Sequence, residues 1–517
     1  MKLKKLASLA MSGVLCVSML AACGGGSSSS AAVSGSAASG SASAEGTGNV
    51  TPVGEYPIVN EPITFKIMGA KDPGAPDWSE LEVFQRLSEI TNINFEFEVS
   101  ETGTWPEQKN IALVGGEYGD IILRDKSATD ANMAVTDEET YGPQGIFLDL
   151  TDLIDQYAPN IKAMMEKYPD VKAAMTSMDG KIYGLPSSGY ALGMWYNVEM
   201  FKAAGLVDEN GNPTYPTNST ELAEMAVKIK EATGYKAYFF PTKNNQGGWM
   251  FTQLVWSFGG DMEQYDEAND TYTAIFNSQE AVDALQWLKD MRWKYDVVQD
   301  NILCDTTEAH KLFALDQIAI AQMAQDQLNN SVTNYNGDIT HFGMGTIVPG
   351  DNGKGKSIGL LGGTFEVIAP NATAEQANAC FQWMELEGTT PNLTEETLQS
   401  FADNAMVDQE NGKLVGVLGL PAWTDPDYIS QRKEAIEPYV TVDLELYKPY
   451  TDACENGTYE LHAEPPVYCQ EMYKILDSCV QAVLTDENAD PQALLDKAAE
   501  DFQRDYLDKY NSGAEAQ

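Results

Sequence analysis

Positive charge is scarce in this chain of 517 residues, which has 32 lysines and arginines against 77 aspartates and glutamates. The formal net charge is −45. Such a surface repels phosphate backbones and anionic lipid head groups, so we expect no nucleic-acid binding. The acidic charge otherwise indicates only solubility. Aromatic residues make up 10% of the chain, which argues against a disordered body.

Long apolar runs are missing after the N-terminal segment, so no later membrane span is predicted. The segment itself has lysines at positions 2, 4 and 5 and an apolar run over 6–20, which is typical of a secretory signal peptide. It closes with Leu-Ala-Ala-Cys at 20–23, which resembles the lipobox of bacterial lipoproteins. The resemblance implies a signal peptide at 1–22 and lipidation of Cys23. An ordinary secreted protein cut elsewhere is the alternative.

The residues after Cys23 are almost entirely Gly, Ser, Ala and Thr as far as residue 50. Such a composition cannot bury enough apolar surface to offset the entropy of ordering. We therefore predict a disordered tether over 23–57, with the folded body beginning near Ile58.

Histidine is also rare, and no two cysteines are spaced as C-x-x-C. The three histidines are far apart, so we expect no zinc site, and nothing in the sequence indicates a metal or cofactor. The body has an odd number of cysteines, so at least one thiol has no partner within the chain. A disulfide among the last three and burial as free thiols both remain open for Cys304, Cys380, Cys454, Cys469 and Cys479.

The apolar pattern at the start of the body alternates between strand and helix periods. Residues 63–67, 93–99 and 121–123 predict strands, and residues 77–90 and 106–114 predict helices. This order predicts an α/β sheet. Further helix starts are predicted from capping patterns at Asn218, Asn277 and Asp490.

The run from Gly350 to Ser357 matches the phosphate-binding P-loop, G-x-x-x-x-G-K-S, letter for letter. A P-loop needs a helix directly after it. The residues that follow Ser357 read as no helix start, so we predict a polar hairpin loop without a nucleotide. The body also lacks G-x-S-x-G and H-E-x-x-H, and no pair of acidic residues stands out for glycoside hydrolysis.

Residues 179–205 carry the most specific motif. The block begins Asp-Gly-Lys-Ile-Tyr-Gly-Leu-Pro, continues as an apolar strand and Tyr-Asn, and ends with Ala-Ala-Gly. It closely resembles the signature of the bacterial extracellular solute-binding proteins of ABC importers, in the maltose-binding-protein class and its larger lipoprotein subfamily. Weaker similarities lie at 116–121, where Gly119 replaces a proline, at 148–154, and at 313–320, where Asp316 replaces a glycine.

The resemblance implies an α/β, two-lobed periplasmic-binding-protein-like fold of type II, with a ligand cleft between lobes that are joined by crossing hinge strands. The crossings are expected near Gly189, Leu361 and Asn411. Small residues suit a hinge, which we place at Ser187, Ser188 and Gly189. The implied lobes are 58–189 plus 362–410 for lobe 1, and 190–361 plus 411–517 for lobe 2.

Positions that match the family imply the ligand-binding residues. Sugars present apolar faces and hydroxyl groups, which aromatic rings and charged or amide side chains bind. Tyr190 stands where maltose-type proteins have a glutamate, and Asp326 where they have a tryptophan, so maltose itself is doubtful. The implied residues are Lys71, Asp72, Arg124, Asp125, Tyr190, Trp249, Asp326 and Trp423.

The local sequence separates the tryptophans into two groups. Trp249 follows Gly-Gly and Trp423 follows Pro-Ala, so both are predicted in loops, where exposure to a cleft is more common. The others considered lie in apolar or helical contexts and are predicted to be core residues: Trp195, Trp256, Trp287, Trp293 and Trp383.

Taken with the resemblance, these features predict a monomeric, lipid-anchored protein that captures an extracellular carbohydrate. The carbohydrate, an oligosaccharide in our prediction, would pass to a separate membrane permease of an ABC importer, with no cofactor and no bond chemistry. A binder of peptides or other polar solutes is the leading alternative. A surface glycosidase, which would turn over a glycoside, and a non-transport adhesin or sensor also remain open.

Overall fold

The structure is a computed structural model that describes most of the chain after residue 47. The signal peptide, Cys23, Asp72, Arg124, Asp125 and Trp423 lie outside the described residues. Within the described part, no helix has both the length and the apolar character needed to cross a membrane. The described residues are 48–71, 77–101, 104–116, 118–123, 141–177, 179–266, 268–269, 271–368, 373–386, 393–422, 425–462, 465 and 467–512.

The first part of the chain alternates strands and helices, and the three predicted strands are confirmed. The helix predicted over 77–90 is divided into a 3-10 turn at Trp78–Glu80 and a longer α-helix. The elements are β1 (Ile63–Lys71), α1 (Glu82–Thr91), β2 (Ile93–Glu101), α2 (Trp105–Gly115), β3 (Ile121–Leu123), α3 (Thr151–Tyr157), α4 (Pro159–Lys167), α5 (Pro169–Met175) and β4 (Leu185–Asn197).

The middle of the chain is mixed in the same way. It contains α6 (Val198–Ala203), α7 (Ser219–Thr233), β5 (Tyr238–Phe239), α8 (Gln246–Ser257), β6 (Glu263–Asp266), β7 (Thr271–Ala274), α9 (Gln279–Trp293), α10 (Thr306–Ala314), β8 (Ile320–Ala324), α11 (Leu328–Tyr335), β9 (Phe342–Thr346) and β10 (Ser357–Ile368).

The last part is mainly helical. It contains α12 (Ala374–Leu386), α13 (Glu395–Glu410), α14 (Pro426–Ile436), α15 (Lys448–Glu455), β11 (Tyr459–His462), α16 (Cys469–Thr485), α17 (Pro491–Phe502) and α18 (Asp508–Ser512). A π-helical turn at Gln503–Leu507 joins α17 to α18.

One sheet runs through the whole body, in the order β2-β1-β3-β10-β4-β8-β5, with β11 beside β10 and β9 beside β4. β1 lies between β2 and β3 and is parallel to both. β10 is antiparallel to β3 and to β4, and β4 is antiparallel to β8 and β9. β6 and β7 form a separate hairpin.

The β4–β10 pair has one hydrophobic core toward each of its two ends. The first, which defines the first lobe here, includes Phe65, Ile121 and Leu185 together with α12 residues such as Trp383. The second, which defines the second lobe, runs from Ala191 to Leu360 and is completed by residues from Val417 to Leu507. The chain therefore leaves the first lobe along β4, returns along β10, and leaves again later.

The third passage from the first lobe to the second lies between α13 and Leu414. Arg86 of α1 forms an ion pair with Asp403 of α13, which holds that helix to the first lobe. The backbone N–H of Leu414 already donates to Asn329 on α11, in the second lobe. The predicted crossing at Asn411 falls in this interval and stays a prediction.

The chain then returns to the first lobe for a short stretch. Leu420 is buried in the second core, and Ala422, two residues later, is buried in the first.

The folded body begins before Ile58, so the predicted tether is wrong for residues 48–57. Val50 is 2% exposed, pairs with Val59 in a β-bridge, and belongs to the first core. The backbone N–H of Asn49 donates to Glu375 Oε1 at 2.6 Å. Burial of Val50 against distant residues, which no local periodicity reveals, orders this segment.

The predicted helix starts are confirmed at two positions and displaced at one. The Asn218 side chain accepts the backbone N–H of Glu221 at 2.9 Å, and Asp490 caps α17. Asn277 is wrong by one residue, because Ser278 is the residue that caps α9. Asn277 instead donates to Asp496, which explains its displacement from the cap.

Trp293 is the exception among the predicted core tryptophans, with 37% of its surface exposed. It is the last residue of α9, and its indole N–H donates to the Val483 carbonyl at 2.8 Å while part of the ring faces solvent. Helical context alone therefore did not decide burial. The other four pack against or within the cores: Trp195, Trp256, Trp287 and Trp383.

The P-loop-like run is a loop between β9 and β10. The predicted hairpin is wrong, because these two strands each pair with β4 and not with one another. Ser357 begins β10, so a strand and no helix follows the lysine. Lys356 Nζ lies 3.1 Å from Glu460 Oε2 on β11, and Lys354 pairs with Glu280 on α9. Both lysines are thus engaged with carboxylates of neighbouring elements.

The cysteines of the described part form no disulfide, which decides between the two alternatives that the sequence left open. Each is buried, and burial raises the pKa of Cys304, Cys454 and Cys479, so these thiols stay protonated at neutral pH. The buried cysteines outside any disulfide are Cys304, Cys380, Cys454, Cys469 and Cys479.

Glu263, at the start of β6, holds both carboxyl oxygens inside the second lobe, away from solvent. Burial has the larger effect on the pKa of Glu263, although the backbone of Val467 stabilises the ionised form and so lowers the pKa. Burial, with a smaller contribution from the Asp261 carboxylate, raises the pKa of Glu263 from 4.5 to about 8. Between these two values the folded protein keeps a proton that the unfolded chain releases. The free energy of unfolding must therefore fall as the pH rises through this range.

We expect Glu263→Gln to remove this part of the pH dependence, because glutamine does not titrate. In the wild type the group contributes a slope of up to about 1.4 kcal/mol per pH unit. The variant should therefore be more stable than the wild type at about pH 8 and similar to it at about pH 4.5. Chemical denaturation across this range measures the slope. Glu224→Gln, which removes an exposed carboxylate of α7, is the control, and a wild-type slope in Glu263→Gln would contradict the assignment.

Candidate ligand-binding site

The direction of the strands places the candidate site between the lobes. β4 leaves the first lobe parallel to β1 and β3, so the second lobe lies beyond the carboxyl ends of those strands. β8 is antiparallel to β4, and β5 is parallel to β8, so their carboxyl ends point back toward the first lobe. Ligands of open α/β sheets bind outside the carboxyl ends of strands. Here the two sets of ends face each other across a cleft.

Lys71 is the last residue of β1 and lies at the first-lobe edge of the cleft, as the family position implies. It forms an ion pair with Asp77, and 15% of its side chain is exposed. Asp77 therefore neutralises much of the charge that Lys71 brings to this edge. The neighbouring predicted residues, Asp72, Arg124, Asp125 and Trp423, lie outside the described residues and stay predictions.

Asp326 lies at the second-lobe edge, two residues after β8, and is exposed. Beside it, Gln325 accepts a hydrogen bond from the Tyr450 hydroxyl at 3.1 Å. Burial is the main reason why the pKa of Tyr450 is raised, and the Asp326 carboxylate is one of the smaller contributors. The Asp326 carboxylate can accept hydrogen bonds from hydroxyl groups, and the Gln325 amide can both donate to them and accept from them.

Gln325 and Tyr450 were not found by sequence reasoning. The strand-end rule applied to β8 would have found Gln325, since it is the first residue after the strand. Tyr450 lies far along the chain in α15, and only the tertiary fold brings it to β8.

Trp249 is in the first turn of α8, so its prediction as a loop residue is wrong. The ring is half-buried against the second core. The glycines before it, which we interpreted as loop residues, belong to a close helix crossing: a Cβ on Gly248 would overlap the backbone of Tyr473 in α16. The predicted role of Trp249 in ligand binding is not decided by this placement.

The Asp477 carboxylate of α16 occupies the N-terminus of α8. Its two oxygens accept the backbone N–H of Gly248 at 2.7 Å and of Asn245 at 2.9 Å. Burial raises the pKa of Asp477, while these backbone donors oppose the rise. The first turn of α8, and Trp249 with it, is thus held in place by an internal anion at the positive end of the helix.

Tyr190 and the predicted hinge residues all lie in β4, where it pairs with β10. Tyr190 is opposite Leu360, and Gly189 is opposite Leu361. The register of the pair shifts between Gly362 and Phe365, which is a β-bulge next to Ser187 and Ser188. The structure thus brings the predicted hinge to an irregular point of the strand pair; movement there stays a prediction.

Among the residues that the structure describes, no three or more His, Cys, Asp or Glu side chains come together as metal ligands would. The described strand ends contribute an exposed carboxylate, an amide and an ion-paired lysine to the candidate cleft.

A model of the family described as bacterial extracellular solute-binding protein matches residues 73–390, which is more than half of the chain. The chain belongs to this family. The family predicted from the 179–205 block is thereby confirmed.

Among curated proteins, the fructooligosaccharide ABC transporter substrate-binding protein FusA of Streptococcus pneumoniae serotype 4 is 31% identical over 132 residues. The match covers 25% of this chain and 23% of that protein. Putative binding proteins of Brucella abortus and Brucella suis are 36% identical over 91 residues, or 20% of their length. The matched segments thus span about a quarter or less of these relatives.

Solved structures share the fold of this chain over most of its length. A solute-binding protein from Thermotoga lettingae bound to α-D-tagatose has a TM-score of 0.60 and 18% identity, covering 85% of this chain and 99% of that one. One from Listeria monocytogenes in complex with cycloalternan has a TM-score of 0.57 and 17% identity, covering 88% and 100%. The predicted α/β, two-lobed fold of type II is confirmed.

We expect Trp249→Ala to lower the free energy of unfolding by about 3 kcal/mol, at the low end for a buried tryptophan because the ring is half-buried. If the solvent-facing part of the Trp249 ring also contacts a ligand, binding should weaken by at least about tenfold. Thermal melts and calorimetric titration separate the two effects. Trp293→Ala, which removes an exposed ring of the same lobe, is the control. Unchanged affinity in Trp249→Ala would remove Trp249 from the site.

Proposed function

We propose that this protein captures an oligosaccharide outside the cell and delivers it to the permease of an ABC importer. The observation that carries the proposal is the pair of facing strand-end edges in a member of an extracellular solute-binding family. The names of the similar proteins support the class of solute. One is named for fructooligosaccharides, and two neighbours were solved with tagatose and cycloalternan.

Capture in this architecture requires no bond chemistry, and we propose none. A ligand that touches both edges stabilises the closed arrangement, because only there does it make both sets of contacts. The residues proposed to make them are Lys71, Asp72, Arg124 and Asp125 from the first lobe, Tyr190 from the crossing, and Trp249, Asp326 and Trp423 from the second lobe or beside it. Bending is proposed at Ser187, Ser188 and Gly189, opposite the bulge in β10.

The remaining proposals concern the setting of the protein. We propose that it acts as a monomer, attached to the membrane through lipid on Cys23 and a flexible segment that ends before residue 48. The lobes divide near 189/190, 361/362 and 410/411, as the sequence analysis has it. Beyond the last division, Ala422 and Asp425 return to the first lobe, where Asp425 pairs with Lys167.

A panel of glycans tests the function by thermal stabilisation of the purified protein. A bound ligand at a hundred times its Kd should stabilise the fold by about 2.7 kcal/mol. We expect stabilisation by at least one oligosaccharide of the fructose or glucose type, with no change in the glycan when the mixture is analysed afterwards. Short peptides form the comparison set. Stabilisation by peptides alone would favour the other binder class, and cleavage of the glycan would favour a glycosidase.

Lipid anchoring is tested by Cys23→Ala. Because the thiol is the attachment point, the variant should appear in the medium or remain unprocessed, while the wild type fractionates with membranes. Cys304→Ala, which changes a buried thiol of the body, controls for effects on folding. Normal membrane retention of Cys23→Ala would overturn the assignment.

A further inference from the structure

Near Leu420 the chain passes from the second lobe back to the first, directly against the crossing strands β4 and β10. Leu420 packs against Gly189 of β4 and Gly359 of β10. A Cβ on Gly189 would lie 3.0 Å from Leu420 Cγ, and a Cβ on Gly359 would overlap Leu420 Cδ2. Because neither glycine has a side chain, the two crossing strands leave a notch between them. Leu420, which is 3% exposed, fills this notch.

On one side of Leu420 the chain is fixed to the second lobe. The backbone N–H of Leu414 donates to Asn329 Oδ1, on α11, at 2.7 Å. Gly419 lies so close to the Gln325 side chain that a Cβ there would overlap the amide nitrogen. Gln325 in turn accepts the Tyr450 hydroxyl and adjoins Asp326 at the cleft. The segment is thus connected to the second-lobe edge of the candidate site.

On the other side of Leu420 the chain is fixed to the first lobe. Ala422 is buried in the first core. Asp425, which caps α14, forms an ion pair with Lys167 at the end of α4. Since anchors to different lobes lie on either side of Leu420, any rotation of one lobe against the other must change the packing in the notch.

We propose that Leu420 is the wedge of the inter-lobe hinge: seated in the notch between Gly189 and Gly359, it sets the preferred angle between the lobes. Close-packed interfaces hold a few discrete arrangements and do not deform continuously, so one side chain at the pivot can bias the choice among them. Ligand affinity then depends on Leu420 without any contact between them, because affinity scales with the population of the binding-competent arrangement. The effect on affinity rests on the proposed function, whereas the effect on lobe angle does not.

The test compares Leu420→Ala with the wild type by small-angle scattering without ligand and by titration with a purified fructooligosaccharide. We expect the ligand-free scattering profile of the variant to change and the affinity to change several-fold. The two changes must agree in sign: a shift toward the ligand-bound profile should tighten binding, and a shift away should weaken it. Gly359→Ala, which fills the notch from β10 and displaces Leu420, should also change the ligand-free profile.

Leu418→Ala is the matched control, since Leu418 is in the same segment but packs against the separate cluster around Val415 and Ile436. It should leave the profile unchanged. Thermal melts check folding, and Leu420→Val serves as the milder variant if Leu420→Ala unfolds. A wild-type ligand-free profile in folded Leu420 variants would overturn the proposal, as would changes of profile and affinity with opposite sign. If no glycan binds, the proposed function fails, and the ligand-free profiles still decide the role of Leu420.

Discussion

The antiparallel pairing of β4 with β10 is the constraint on which the rest of the structure depends. Both strands belong to each lobe in turn, and their pairing continues from one core to the other across a single β-bulge. Because β4 continues in the direction of β1 and β3, the second lobe must lie beyond the carboxyl ends of those strands. The cleft therefore follows from strand direction before any ligand-binding side chain is considered.

The C-terminal part of the chain secures β4 within the second lobe. The Tyr450 hydroxyl of α15 shares its one hydrogen between Gln325 and the Ala191 carbonyl, each at 3.1 Å, and Tyr459 of β11 donates to the Leu192 carbonyl at 2.8 Å. Burial raises the pKa of both phenols well above its ordinary value, so they remain neutral donors at any physiological pH. Gly193, the next residue, leaves room for the Tyr450 ring. Residues far apart in sequence thus fix the strand that carries Tyr190.

The sequence predicted the parts of the fold that local patterns encode. β1, β2 and β3 follow from alternating or continuous apolar runs, and the family and two-lobed fold follow from the 179–205 block. The errors share one cause, which is long-range packing. Val50 is ordered by the first core, and Trp249 lies in a helix whose Gly248 meets α16. The candidate site was found only at strand ends, and Tyr450 could not be placed there without the tertiary fold.

The central claim, a two-lobed clamp that closes on a glycan, is tested most directly by the radius of gyration with and without saturating ligand. Wild-type protein should become more compact with a glycan that stabilises it thermally, because that ligand bridges the two strand-end edges. A glycan of similar size that gives no stabilisation should leave the radius unchanged. An identical radius with a glycan that calorimetry shows to be bound would contradict the clamp.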